Sequence, residues 1–186
     1  MLDAALRFLE ARPRSIAEVR RRLTYAGYRE ELVAGAVERL EGLGILDDQA
    51  FATQWVGSRD RARPRGERAL RAELAQRGVD RAVVDEVLDD RRNAFEQSGA
   101  ETDDDPGSVE SADSSAAWRL LARRGRAIER ISDPRARRQR AFALLARNGF
   151  DSGLATDLAS AWAAGVDAAA HGEGAVDENE ADVDEP

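Results

Sequence analysis

The 186-residue chain contains no cysteine, no lysine, a single histidine, five prolines and only 5% aromatic residues. Without cysteine there is neither a disulfide framework nor a thiolate metal site. The one imidazole, His171, lies in an Ala-, Gly- and acid-rich tail, far from any partner that could make it a catalytic base. These absences exclude most zinc, thiol and histidine-dependent enzymes, and no other nucleophile–base pair stands out. No apolar run approaches the roughly 20 residues needed to cross a bilayer, and the N-terminal stretch lacks the basic start and apolar core of a signal peptide. The expectation is a cytoplasmic, non-enzymatic protein with no catalytic site, no metal, no cofactor and no membrane contact.

What the chain does have is Ala, Leu, Glu and Arg in abundance, a composition that favours helix over sheet. It also has a repeat. Val19, Leu23, Gly27, Tyr28, Val33, Ala36, Val37 and Leu40 have counterparts in Leu70, Leu74, Gly78, Val79, Val84, Val87 and Leu88, and again in Ala141, Leu145, Gly149, Phe150, Ala155, Leu158, Ala159 and Trp162. A unit of this size cannot bury its apolar stripe alone and must stack on neighbours. Such arrays present long surfaces suited to polymers.

Charge is segregated along the chain, so the net −8 misleads. Residues 1–92 carry 18 Arg against 17 acids and 114–163 carry 10 Arg against 4 acids, whereas 93–113 and 164–186 hold 7 and 8 acids and no Arg or Lys. A mildly basic helical body with two acidic, unfolded segments follows. The exclusive use of arginine suits phosphate or carboxylate recognition; GC-rich coding or a saline cytoplasm would give the same composition.

Local signals divide the body into triplets of helices, nine in all. Ser15 and Glu18 have capping-box spacing, which starts a second helix that ends at Gly27. A third helix stops at Gly42 and Gly44, and Asp47-Asp48 opens the next, carrying Phe51, Trp55 and Val56. Pro64 and Gly66 break that helix, and two more run from about Glu67 to Arg77 and from about Asp80 to Asp89. Ser132-Asp133-Pro134 is a further helix start, and Ser152 is placed to cap the last helix. The expected units are 1–44, 45–90 and 114–163, with an acidic linker over 91–113 and a disordered acidic tail over 164–186.

Asp47 and Asp48 are paired carboxylates, but neighbours on a helix point about 100° apart, so capping and helix-dipole stabilisation explain them better than catalysis. Arg59, Arg61, Arg63, Arg65, Arg68 and Arg71 crowd a helix end. They read either as a solvated face pairing with Asp60, Glu67 and Glu73, or as a surface for phosphates or an acidic groove. Arg119, Arg123, Arg126 and Arg130 recur at helical spacing, with Arg135, Arg137, Arg138 and Arg140 following. That makes the most basic surface of the chain and a binding candidate, unless the acidic segments fold back over it. Trp55, Trp118 and Trp162 lie on apolar stripes and are expected in cores rather than as stacking platforms.

Residues 44–59, Gly-Ile-Leu-Asp-Asp-Gln-Ala-Phe-Ala-Thr-Gln-Trp-Val-Gly-Ser-Arg, resemble the signature of the RecX regulators of the RecA recombinase in Leu46, Asp47, Asp48, Phe51 and Trp55. Arg65-Gly66, Leu70, Glu73-Leu74 and Arg77-Gly78-Val79, and upstream Arg14-Ser15, Glu18-Val19 and Leu23, are similar to the segments that flank it. The resemblance covers about 3–90 well and 114–163 loosely. It implies an all-α fold of three tandem three-helix, helix-turn-helix-like repeats in an elongated, curved arrangement. It also implies a regulator that binds a RecA-type recombinase and its nucleoprotein filament and inhibits recombinase activity in DNA repair and recombination. The expected partners are therefore the filament, with DNA contacted inside it and only weakly when naked, by a monomer. The alternative is a helical repeat protein that binds DNA without a recombinase. Ile45 replaces an expected tyrosine at a position expected to be buried, and the acidic insertion has no counterpart in the family pattern.

Overall fold

Helix N-caps and glycine turns punctuate the chain where the sequence places them. The structure, a computed structural model, describes residues 2–98 and 111–172, with side chains described up to 165. Ten helices and no strand lie among the described residues: α1 Leu2–Glu10, α2 Ile16–Tyr25, α3 Glu30–Gly42, α4 Asp48–Ala62, α5 Glu67–Gln76, α6 Arg81–Gln97, α7 Ala112–Arg124, α8 Arg126–Glu129, α9 Pro134–Arg147 and α10 Ser152–Gly172. The tenth helix beyond the expected nine is the single turn α8, split from α7 at Gly125.

Each triplet buries its own apolar stripe. The first core is Ala5, Val19, Leu23, Val33, Val37, Leu40 and Leu46. The second gathers Phe51, Ala52 and Val56 of α4 with Leu70, Leu74, Val79, Val84, Val87 and Leu88. The third sets Ala116, Ala117, Leu120 and Leu121 of α7 against Ala141, Leu145, Phe150, Ala155, Ala159 and Trp162. Three small cores that follow one another in chain order make an elongated array, in which stability comes from each unit plus its joint with the next.

The second helix of every triplet ends in the same way. The amides of Tyr28, Val79 and Phe150 donate to the carbonyls of Leu23, Leu74 and Leu145, and the preceding glycine takes positive φ, +86°, +79° and +84° at Gly27, Gly78 and Gly149. Only glycine reaches that region without strain, and the wrap it permits turns the chain into the third helix.

Several expectations need correction. α6 continues through Arg91 to Gln97 and α7 starts at Ala112, so the expected linker over 91–113 is helical at both ends. α10 likewise runs past 164 to Gly172, because alanine-rich sequence is strongly helix-forming. The rest of the expected linker and tail, 99–110 and 173–186, lies outside the described residues. Asp151, not Ser152, caps α10, accepting from the amides of Gly153 at 2.8 Å and Leu154 at 3.4 Å.

Candidate partner-binding surface

The two acidic residues that open α4 do different jobs on different helices. Asp47 caps its own helix, accepting from the amides of Gln49 and Ala50 at 2.8 and 3.0 Å. Asp48 reaches back to the first triplet, where its Oδ1 accepts from the Ile16 amide at 2.9 Å, the free N-terminal donor of α2. Burial is the main cause that raises the Asp48 carboxyl above the usual range, and the Ile16 amide opposes it. Beside this contact Ser15 Oγ donates to Arg77 O at 2.6 Å. Gly78 comes so close that a Cβ there would lie 2.5 Å from Ala17 Cβ.

The same contact recurs one repeat later. The Gly66 amide donates to Asn148 O at 3.0 Å, and the Glu67 amide donates to Asp113 Oδ2 at 2.9 Å. A Cβ on Gly149 would run into the Ala69 backbone and side chain. Each joint thus seats the start of a second helix on the next triplet's glycine turn, with an aspartate from that triplet's first helix as an added cap.

A ladder of charges and one aromatic ring runs across these joints. Glu18 Oε1 accepts from Arg12 at 3.0 Å and from Arg77 at 2.9 Å. Arg77 lies over the Trp55 ring at 3.6 Å from its centroid, with Arg59 over the same ring at 4.2 Å. The Trp55 indole donates to Glu73 at 2.8 Å, and Glu73 also holds Arg59 at 2.6 Å and Arg65 at 3.5 Å. Arg65 then donates to Asn148 Oδ1 at 2.6 Å, in the third triplet. Burial pushes the Glu18 carboxyl up, but hydrogen bonds from Arg12 and the Ser15 amide, with the Arg12 and Arg77 charges, outweigh it and hold the group below its ordinary range.

The structure sorts the candidate arginines into three groups. Arg59, Arg65 and Arg71 are paired, Arg71 with Glu67 and Asp85. Arg119 and Arg123 reach towards the second triplet: Arg119 sits 4.0 Å from Asp60 and donates to Ser115 Oγ at 2.9 Å, and Arg123 donates to Ala62 O at 3.1 Å. Arg61, Arg68, Arg126, Arg130 and Arg138 are exposed and form no ion pair among the described residues. Arg137 is a correction, since it is 5% exposed and donates to Ser132 O at 3.4 Å, so it does not face outward. The expected stripe of four is also interrupted, because the helix breaks at Gly125 and puts Arg126 and Arg130 beyond α7.

Trp162 is buried as expected and Trp55 is half-buried, but Trp118 stands 38% exposed. The buried face of α7 is Ala116, Ala117, Leu120 and Leu121, and residue 118 falls out of that phase. Ile45 is 45% exposed rather than buried. Sequence reasoning missed Arg91, whose side chain is 9% exposed and bridges Asp60 at 2.9 Å and Asp113 at 2.7 Å. Burial works against its charge, and the two carboxylates more than restore it, raising its pKa. Missed too was an identical Ala-Arg-Pro-Arg at 11–14 and 62–65, a visible signal that the turns before α2 and α5 are equivalent.

Among the described residues no helix is long and apolar enough to cross a membrane. Residues 2–40 match the first three-helix domain of RecX, and residues 47–88 match the second. Regulatory protein RecX of Mycobacterium sp. (strain KMS) is 41% identical over 131 residues, spanning 64% of this chain and 71% of the relative. Regulatory protein RecX of Mycolicibacterium vanbaalenii is 35% identical over 162 residues, spanning 84% of this chain and 78% of the relative. The crystal structure of RecX from Lactobacillus salivarius shares the fold, with a TM-score of 0.62 at 16% identity over 84% of this chain and 90% of that one. Repeat, signature and relatives agree: the chain belongs to the RecX family of regulatory proteins.

Proposed function

We propose that this protein regulates a RecA-type recombinase by docking along its nucleoprotein filament and inhibiting strand exchange, without catalysing a reaction. The observation that carries this reading is the recurrence of one joint geometry between successive triplets. Units set at a repeated step suit a partner that is itself a repeating polymer. Individually weak contacts on successive units then combine through effective concentration. Arg61, Arg68, Arg126, Arg130 and Arg138, exposed and unpaired among the described residues, supply contacts to an acidic protein groove or to phosphates within the filament. Arg59, Arg65 and Arg71 act behind that surface, holding its shape through Glu73 and Glu67. The protein acts as a monomer in the cytoplasm.

Strand exchange by a RecA-type recombinase, with and without this protein, tests the proposal. Slower exchange and shorter filaments at micromolar protein support it, and no change in either overturns it. Tight binding to naked DNA with a steep salt slope, on the order of one unit per phosphate contacted, would favour a DNA-binding repeat protein that needs no recombinase.

A further inference from the structure

The joint between the second and third triplets encloses a basic cleft of about 140 Å³. Arg63 and Arg65 from the turn before α5 and Arg123 and Arg124 from the end of α7 line it, with Leu144 of α9 and Asn148, which caps the C-terminus of that helix. No carboxylate is among its lining residues. Arg63 and Arg124 are exposed and form no ion pair among the described residues, while Arg123 is held by a main-chain carbonyl, Ala62 O.

The cause is visible in the equivalent place one joint earlier. There Arg12 pairs with Glu18 at 3.0 Å and Arg59 pairs with Glu73 at 2.6 Å. Ala-Arg-Pro-Arg at 11–14 recurs at 62–65, so Arg63 corresponds to Arg12 and Ala69 to Glu18. Asp48 and Asp113 cap alike and Phe51, Ala52 and Val56 are buried as Ala116, Ala117 and Leu121 are, so Arg124 corresponds to Arg59. The repeat around Gly78 and Gly149 puts Leu144 where Glu73 stands. The third-triplet joint keeps Arg12 and Arg59 as Arg63 and Arg124, exchanges Arg77 for Asn148, and replaces both carboxylates with apolar side chains.

We infer that this cleft is a binding site for a tetrahedral oxyanion, a phosphate or phosphodiester group, clamped between arginines of two triplets. Arg65 has Glu73 as its counterion, but Arg63, Arg123 and Arg124 line the cleft with none, and phosphate offers the charge and the acceptor geometry that satisfy them. At about 140 Å³ the space is well below the 300–1,000 Å³ of pockets that take drug-sized ligands or cofactors. Because the arginines come from both sides, an anion bound there ties the third triplet to the second and sets the angle between them. This inference does not depend on the filament reading.

Thermal unfolding of the full chain in pyrophosphate, against chloride at equal ionic strength, tests it. Wild type is expected to melt higher as pyrophosphate rises, since a ligand bound only to the folded state stabilises it by mass action. Leu144→Glu, which restores the carboxylate of the earlier joint, and the double variant Arg63→Ser/Arg124→Ser, which removes only exposed side chains, are each expected to weaken binding by about tenfold or more. Arg20→Ser/Arg21→Ser, on the first triplet, should respond as wild type does. If Leu144→Glu fails to fold, the double variant carries the test alone. An oligothymidylate that competes for the same site identifies a phosphodiester as occupant; a melting shift without competition identifies a free oxyanion. A pyrophosphate shift that is absent in wild type, or unchanged in Arg63→Ser/Arg124→Ser, overturns the inference.

Discussion

At the joint of the first two triplets Ser15 Oγ donates to Arg77 O and Asp48 takes the Ile16 amide; at the next, the Gly66 amide donates to Asn148 O and Asp113 takes the Glu67 amide. The backbone step is therefore conserved between joints. The side chains around it are not: Glu18 and Glu73 neutralise the arginines of the first joint, whereas at the second Glu73 reaches only Arg65, no carboxylate lines the cleft, and the buried pairing is the bridge of Arg91 with Asp60 and Asp113. Backbone hydrogen bonds and close glycine contacts set how triplets stack, which leaves side-chain charge free to differ from joint to joint.

The largest effect expected from breaking this comparison is at Arg91. Arg91→Met leaves Asp60 and Asp113 facing each other without their shared counterion, and removing one partner of a buried ion pair typically costs about 3–5 kcal/mol. Urea unfolding should show a loss of that size. A loss below about 1 kcal/mol would mean that the bridge is not what holds the second joint. Leu40 occupies the matching position of the first triplet as a core residue, so the first joint has no such ionic clamp to lose.

Next in size are the glycine turns, where one substitution separates conformation from contact. An L-residue in the left-handed region costs roughly 1–2 kcal/mol, and that is all Gly27→Ala should lose, because nothing lies within 4 Å of a Cβ there. Gly78→Ala and Gly149→Ala also press on Ala17 and Ala69 of the preceding triplet, adding overpacking of about 1–3 kcal/mol. Equal losses in all three melting curves would show that the joints do not bear on these turns.

The three cores were legible in the sequence because apolar spacing reports burial within one helix triplet. Of the repeat residues, Val19, Leu23, Val33 and Leu40, Leu70, Leu74 and Leu88, and Ala141, Leu145, Phe150 and Ala159 are all buried. The Ser15–Glu18 capping box and the Asp47 and Asp133 caps are equally local and form as expected. What the sequence hid was the joints. Asp48 and Asp113 cap helices in another triplet, and a bond between residues 32 or 46 positions apart leaves no short-range pattern. Arg91 sits among acids beside a polar segment, so it reads as solvated; its burial depends on how the third triplet docks. Trp118 misled by bulk, since helical phase and not size decides which side chains of α7 face inward.

The added caps offer a smaller contrast. Asp48→Ala removes the acceptor of the Ile16 amide at the first joint and should cost about 1 kcal/mol, typical of a helix cap. Asp113→Ala removes the equivalent acceptor together with a partner of Arg91 and should cost visibly more. Circular-dichroism melts of the two variants would rank them, and the reverse order would mean that the first joint, not the second, carries the stronger coupling.

The smallest effect expected is acid dependence, and it divides the first joint against itself. The Glu18 carboxyl is held below its ordinary value in the folded chain, so its contribution is present above its unfolded pKa, near 4.3, and is lost as pH falls through the lowered folded value. Asp48 is raised by burial, so its charge is a penalty above its folded pKa that falling pH relieves. Urea midpoints from pH 7 downward should therefore hold or rise slightly as Asp48 protonates, then drop as Glu18 does. Glu18→Gln should flatten the drop and Asp48→Asn should remove the rise, each by under about 1 kcal/mol because these groups are only partly shielded from water. The second joint has Ala69 in place of Glu18, but there burial pushes the Glu67 carboxyl up while hydrogen bonds from Arg71 and Arg92 outweigh it and hold it below its ordinary range, so part of the acid limb remains without Glu18. A drop that persists undiminished in Glu18→Gln would place the acid-sensitive group elsewhere in the array.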